Sequence, residues 1–107
     1  MRIDVRRNGE IVGSLMLKKT SDGDLFIESM RVHPEFRGQK LGSSLLEKAI
    51  KSARKQGRNL VALIDPDGTG LSIEQEIEMF KRRGFEFAKH NLGNDNFKNV
   101  MILLNIP

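Results

Sequence analysis

Between Val32 and Ser44 the chain reads Val-His-Pro-Glu-Phe-Arg-Gly-Gln-Lys-Leu-Gly-Ser-Ser. A β-type stretch ends at Val32, a short loop of small and polar residues follows, and a helical pattern opens directly out of it. A helix start leaves its first backbone N–H groups without internal acceptors and carries the positive end of the aligned peptide dipoles. Loop amides can join them around one anion, so the chemistry this order suits is the holding of a phosphate-bearing ligand. Gly38 and Gly42 allow close backbone approach, and Arg37 or Lys40 supplies positive charge. Each helix-terminal charge contact contributes roughly 0.3–1 kcal/mol, so the cluster decides binding rather than any one group. Two glycines near a helix start, taken alone, more often mean a turn and a cap.

The elements that must position this loop follow from hydrophobic period and turn signals. Residues 2–7 read as a first strand, and Asn8-Gly9 is a hairpin turn into a second strand at about 11–19. Ser21-Asp22-Gly23-Asp24 is the next turn. Residues 25–33 alternate, with Phe26, Glu28, Met30 and Val32 expected on one face and Leu25, Ile27, Ser29 and Arg31 on the other. That alternation puts one carboxylate, Glu28, among three apolar residues. From Leu41 to about Gln56, Leu45, Leu46, Ala49, Ile50 and Ala53 share a helical face, and Gly57 is the expected stop. The apolar run Leu60–Ile64 predicts a strand buried on both faces and parallel to 25–33, joined to it through the helix. Asp65 to Gly70 is a loop, and Ser72 with Gln75 forms a capping box for a second helix. There Ile73, Ile77 and Phe80 are expected to face the core, with Gly84 ending the run. Phe85–His90 and Lys98–Asn105 predict two last strands joined by Asn91–Asn96. The expected fold class is α/β: a mixed sheet of about six strands with two helices packed on it.

The 107 residues are enough for one domain and one core, expected to span 1–107. A composition of 38% hydrophobic and 30% charged residues belongs to a folded globular chain rather than a disordered one. No apolar run approaches bilayer-spanning length, and the N-terminus has no secretory pattern, so no membrane partner is expected. Zero cysteines exclude disulfides and thiolate catalysis and fit a cytoplasmic protein. His33 and His90 lie far apart without ligand spacing, so no metal site is expected. The net charge of +4 and pI near 9.7 favour anionic partners. Much of the excess sits in Lys48, Lys51, Arg54, Lys55 and Arg58, where a solvated helix face explains it better than a nucleic-acid stripe. Without tyrosine or tryptophan, there is little sign of a base-stacking platform.

The stretch from Phe26 to Leu46 resembles motif A of the GNAT superfamily of acyl-CoA-dependent N-acetyltransferases, whose pattern is Q/R-x-x-G-x-G/A after a V-x-P strand end. Arg37 and Gly42 match its first and last positions, and Lys40 stands where the family has its middle glycine. Glu78 to Glu86, Glu-Met-Phe-Lys-Arg-Arg-Gly-Phe-Glu, resembles the aromatic-x-x-x-Gly-Phe motif that ends the second helix of the family. The two motifs stand in the right order and cover about residues 10–105.

The resemblance implies direct transfer of an acetyl group from acetyl-CoA to an amine, on a sheet whose parallel pair splays at the coenzyme. Residues matching Met30, Arg31 and Val32 would pair with the pantetheine arm, and a backbone N–H near Val32 would polarise the thioester carbonyl. The pyrophosphate would rest on Arg37, Gly38, Gln39, Lys40, Leu41, Gly42 and Ser43. Glu28 is the candidate base, because its apolar neighbours would raise its pKa and an amine nucleophile must lose a proton; a rim carboxylate in a salt bridge explains it equally well. Phe80 stands where such enzymes often carry a tyrosine that protonates the leaving thiolate; it is expected to pack on the pantetheine arm or in the core. Solvent, or a hydroxyl such as Thr69 or Ser72, would then supply the proton. The acceptor is a protein lysine or N-terminus or a small amine, and the chain a monomer or homodimer. The competing reading is a CoA-binding or partner-binding module of weak catalysis; a nucleic-acid binder ranks well behind.

Overall fold

A computed structural model describes residues 1–64, 68–88 and 100–105. Arg2–Arg7 (β1), Glu10–Lys19 (β2) and Leu25–Val32 (β3) form an antiparallel meander. Asn8 and Gly9, at φ 51° and 83°, make the left-handed pair that a tight hairpin demands. Leu41–Gln56 (α1) then crosses to Leu60–Leu63 (β4), which runs parallel to β3 with Leu25, Phe26 and Ile27 opposite Leu60, Val61 and Ala62. Ile73–Lys81 (α2) leads to the short edge strand Glu86–Phe87 (β5), and Val100–Leu103 (β6) inserts antiparallel between β4 and β5. The sheet order is β1-β2-β3-β4-β6-β5. Both crossovers step the same way across the sheet, so right-handed connections put both helices on one face. Gly42 accordingly meets the Met79 sulfur, at 3.8 Å from where a Cβ would stand.

The core lies between that face and the helices: Leu15, Leu45, Leu46, Leu60, Phe80 and Met101 are all fully enclosed. α1 ends at Gly57, whose φ of 66° gives the left-handed cap read from the sequence. The Ser72–Gln75 capping box of α2 is formed in both directions.

Four expectations need correction. First, β3 does not alternate strictly. Its register against β2 passes from Ile27 opposite Leu17 to Ser29 opposite Met16, leaving Glu28 as the extra residue of a bulge. Leu25 and Ile27 are therefore buried together with Met30 and Val32, while Glu28 is exposed on the opposite face. Second, β4 is buried on one face only. Leu60 and Ala62 are enclosed, but Leu63 is 46% exposed, because among the described residues no helix covers the far side of the sheet. Third, α2 turns Ile77 and Phe80 to the core as expected, but Ile73 is exposed, and Glu76 and Met79 turn inward beside them. Fourth, the last two strands are shorter than expected; His90, Asn91–Asn96 and Asp65–Asp67 lie outside the described residues.

Candidate functional site

The bulge and the divergence of β3 from β4 together build the first wall. Thr20 N–H donates to Asp24 O and His33 N–H to Val12 O, which fixes the phase of the β2–β3 ladder on either side of the bulge. In that phase Met30 and Val32 turn their N–H and C=O groups away from β2. β4 pairs with β3 only as far as Ile27, so these groups face the gap between the two strands. The Val32 carbonyl accepts from Arg37 Nε at 3.2 Å, and the Met30 carbonyl lies only 2.2 Å from where a Gly68 Cβ would stand. With both carbonyls covered, the edge offers chiefly N–H donors, which suits a ligand rich in carbonyl oxygens.

Past a single turn of 3₁₀ helix at Pro34–Phe36, Gly38 takes φ 85° with open space on its Cβ side. Lys40 takes φ 62° and is the N-cap of α1, with no side-chain cap hydrogen bond. It thus holds, as a lysine, the left-handed conformation that glycine adopts without strain, so the departure from the family pattern leaves the loop geometry intact. Ser44 N–H is the first to find a helical acceptor, the Lys40 carbonyl at 3.1 Å. The N–H groups of Leu41, Gly42 and Ser43 precede it at the positive end of the helix. Arg37 is directed differently from its expected role. Its guanidinium turns back to the Val32 and Gly68 carbonyls, the second at 3.4 Å, and fastens the loop after β4 to the end of β3. Gly70, at φ 78°, packs so tightly on the Arg37 Cδ that a Cβ there would sit 2.5 Å away.

These walls enclose a cleft of about 920 Å³ between the α1 start and α2, lined among others by Val32, Arg37, Gly38, Lys40, Gly42, Ser43, Thr69 and Met79. Leu41 lines it too, whereas Gln39 is exposed on the loop outside it, Met30 is buried just behind it and Arg31 is exposed. Phe80 is 1% exposed and stacks edge to face on Phe85 at 4.9 Å, so it belongs to the core and presents no ring to the cleft. Sequence reasoning missed two features. Glu76 is a buried carboxylate that accepts from Thr69 Oγ1 at 3.3 Å, while the Thr69 oxygen accepts from Leu71 N–H. Arg83 lines the cleft from beyond the α2 end and donates to Glu47 Oε1 at 3.1 Å. Glu76 carried a signal, since it lies one helical turn from both Ser72 and Phe80; Arg83 carried none beyond its place in a basic run.

The profile of the acetyltransferase (GNAT) family matches residues 2–85, and the chain belongs to that family. A curated relative, an uncharacterized N-acetyltransferase of Methanocaldococcus jannaschii, is 42% identical over 60 residues; these are 56% of this chain and 25% of the relative. The chain thus spans about a quarter of the length of that relative. The ribosomal-protein-S18-alanine N-acetyltransferase of Escherichia coli superposes with a TM-score of 0.71 at 19% identity, covering 96% of this chain and 67% of that one. A GNAT acetyltransferase of Elizabethkingia anophelis with acetyl-CoA bound gives 0.67 at 20% identity, over 94% of this chain and 71% of its own. Both likenesses concern the fold.

Proposed function

We propose that this domain transfers an acetyl group from acetyl-CoA directly to an amine. The observation that carries the reading is one cleft in which the Val32 end of β3 meets the start of α1. Residues 38–43 would hold the diphosphate, with Lys40 adding charge. The Met30 and Val32 amides would pair with the pantetheine arm and bind the thioester oxygen as it gains charge. Arg37 fixes the spacing between these two donor groups rather than touching phosphate.

The amine approaches from the open face of the sheet, since the helix face is filled. Glu28 sits there, on the bulge beside the thioester position, and serves as base directly or through water; it is exposed to solvent rather than enclosed among the apolar residues of its strand. The amine nitrogen attacks the carbonyl carbon, the C–S bond breaks, and the thiolate is released. Phe80 has no proton to give, and the Thr69 hydroxyl hydrogen is directed at Glu76, so solvent entering the cleft protonates the thiolate. Around Glu28 the open face carries Met16, Phe26, Val61, Leu63 and Ile102, a broad apolar surface that suits a polypeptide acceptor better than a small polar amine.

Mass spectrometry after incubation with acetyl-CoA and matched panels of peptides and polyamines tests this. Acetylated peptides are expected, and Glu28→Gln is expected to slow turnover by 10²–10⁴-fold, the usual span for a general base, and to change the acid limb of the pH profile, where a carboxylate base is lost to protonation. An unchanged profile removes Glu28 from the mechanism. A raised Tm with acetyl-CoA but no product from any panel supports the non-catalytic CoA-binding reading, which the lack of any tyrosine favours.

A further inference from the structure

On the open face of the sheet most charges already have partners or lie far from the gap between β3 and β4. Arg2 holds Asp4 at 2.8 Å, and Arg6 donates to the Gly9 carbonyl at 3.1 Å. Glu86, on β5, stands three strand spacings from β3, about 14 Å. Lys18 lies beside Phe26, at the other end of β3. Arg31 is the exception. It is exposed, makes no hydrogen bond or ion pair among the described residues, and lies between Met30 and Val32. Met30 and Val32 are buried toward the helices, so the alternation of β3 turns Arg31 to the open face. Its Cγ lies 3.3 Å from where a Gly68 Cβ would stand. The stem thus runs along the loop after β4 and carries the guanidinium to the rim of the gap. Glu28 lies back along the same strand by two to three residues, roughly 7–10 Å.

We infer that Arg31 determines acceptor specificity, selecting polypeptides with an aspartate or glutamate within two residues of the acetylated amine. The inference rests on the transfer reading above and narrows its polypeptide acceptor. An amine held at the gap beside Glu28 has Arg31 within about 7 Å, the span of two extended residues. A carboxylate at that distance meets the planar fork of the guanidinium and accepts two parallel N–H···O bonds. Arg31 gives up no internal partner to make this contact, so none has to be replaced. Its stem, packed against Gly68, leaves fewer rotamers to freeze on binding. On the other side of Glu28, Phe26 and the Val61 opposite it on β4 offer an apolar seat to an uncharged side chain of the same peptide. A polyamine brings only further positive charge to Arg31 and is disfavoured there.

Initial rates on peptides with one acceptor amine, identical except for Glu, Gln or Arg at the residues next to it, test this. With the intact chain, kcat/KM is expected to fall about tenfold from the Glu to the Gln peptide, the size of one charge-assisted contact, and further for Arg. Arg31→Gln is expected to bring the Glu-to-Gln ratio to about one. Arg31→Glu is expected to invert the order in favour of the Arg peptide. Each ratio compares peptides on one variant, so a defect in folding or coenzyme binding, common to all peptides, cancels. Equal kcat/KM for the three peptides with the intact chain overturns the assignment and leaves acetyl transfer standing. A preference for the Glu peptide that survives in Arg31→Glu does the same. If no peptide is acetylated at all, the transfer reading fails and this inference with it.

Discussion

Lys40 and Gly68 show how single residues set the donor array. Lys40 holds φ 62° at the N-cap of α1, a conformation that costs an L-residue roughly 1–2 kcal/mol relative to the right-handed region. Replacing it by glycine keeps the loop, so Lys40→Gly is expected to retain stability and to lose only the share of acetyl-CoA affinity owed to charge. Lys40→Val, β-branched in the left-handed region, is expected to lower stability by about 1–2 kcal/mol and to weaken coenzyme binding further; urea denaturation with calorimetry measures both. Gly68 is constrained from outside. A methyl group there would meet the Met30 carbonyl at 2.2 Å, so Gly68→Ala must push the loop off β3. The expected loss is about 1–3 kcal/mol in denaturant unfolding, together with an opened Arg37 contact and impaired acetyl-CoA binding. Lys40→Gly and Gly68→Ala thus have opposite outcomes although both concern glycine-like positions, and only the structure separates them.

At the scale of elements, the stretches with a clean period were legible in the sequence. Leu41–Gln56 was readable from Leu45, Leu46, Ala49, Ile50 and Ala53 with Gly57 behind them, and the α2 start from Ser72 and Gln75. Removing the hydroxyl in Ser72→Ala frees the Gln75 N–H, and a loss of about 1 kcal/mol in thermal or urea unfolding is expected. What escaped was phase. The bulge at Glu28 shifts the inward set by one residue between Ile27 and Met30, and no residue type announces it. Glu76 turned inward against the rule for carboxylates because the Thr69 hydroxyl, brought by a loop, waits there. Ile73 was drawn into the expected core face by its apolarity alone, yet it lies at the first helical position, on the outer side. The loop before α1 was readable because its shape depends on main-chain conformation, which follows from glycine spacing and a helix start. Arg37 and Arg83 were not, since their partners, Gly68 and Glu47, come from distant segments.

For the molecule as a whole, the topology gives the two faces of the sheet different characters. Two right-handed crossovers fill one face with helices and leave a cleft between them, open toward the α1 start. The other face keeps Leu63 at 46% and Ile11 at 39% exposure, with Glu28 at the bulge between the two approaches. On the proposed function, coenzyme and acceptor would meet at the gap between β3 and β4 without competing for one entrance, as direct transfer requires. No helix among the described residues is long and apolar enough to cross a membrane.

The most direct test of this division is an amide-resolved NMR titration of the intact chain with acetyl-CoA. The largest shifts are expected at the N–H groups of Met30, Val32, Gly38, Lys40, Leu41, Gly42 and Ser43, with β1 and the open face nearly unmoved. Saturable shifts confined to the open face, with the Gly38–Ser43 amides unchanged, would contradict it.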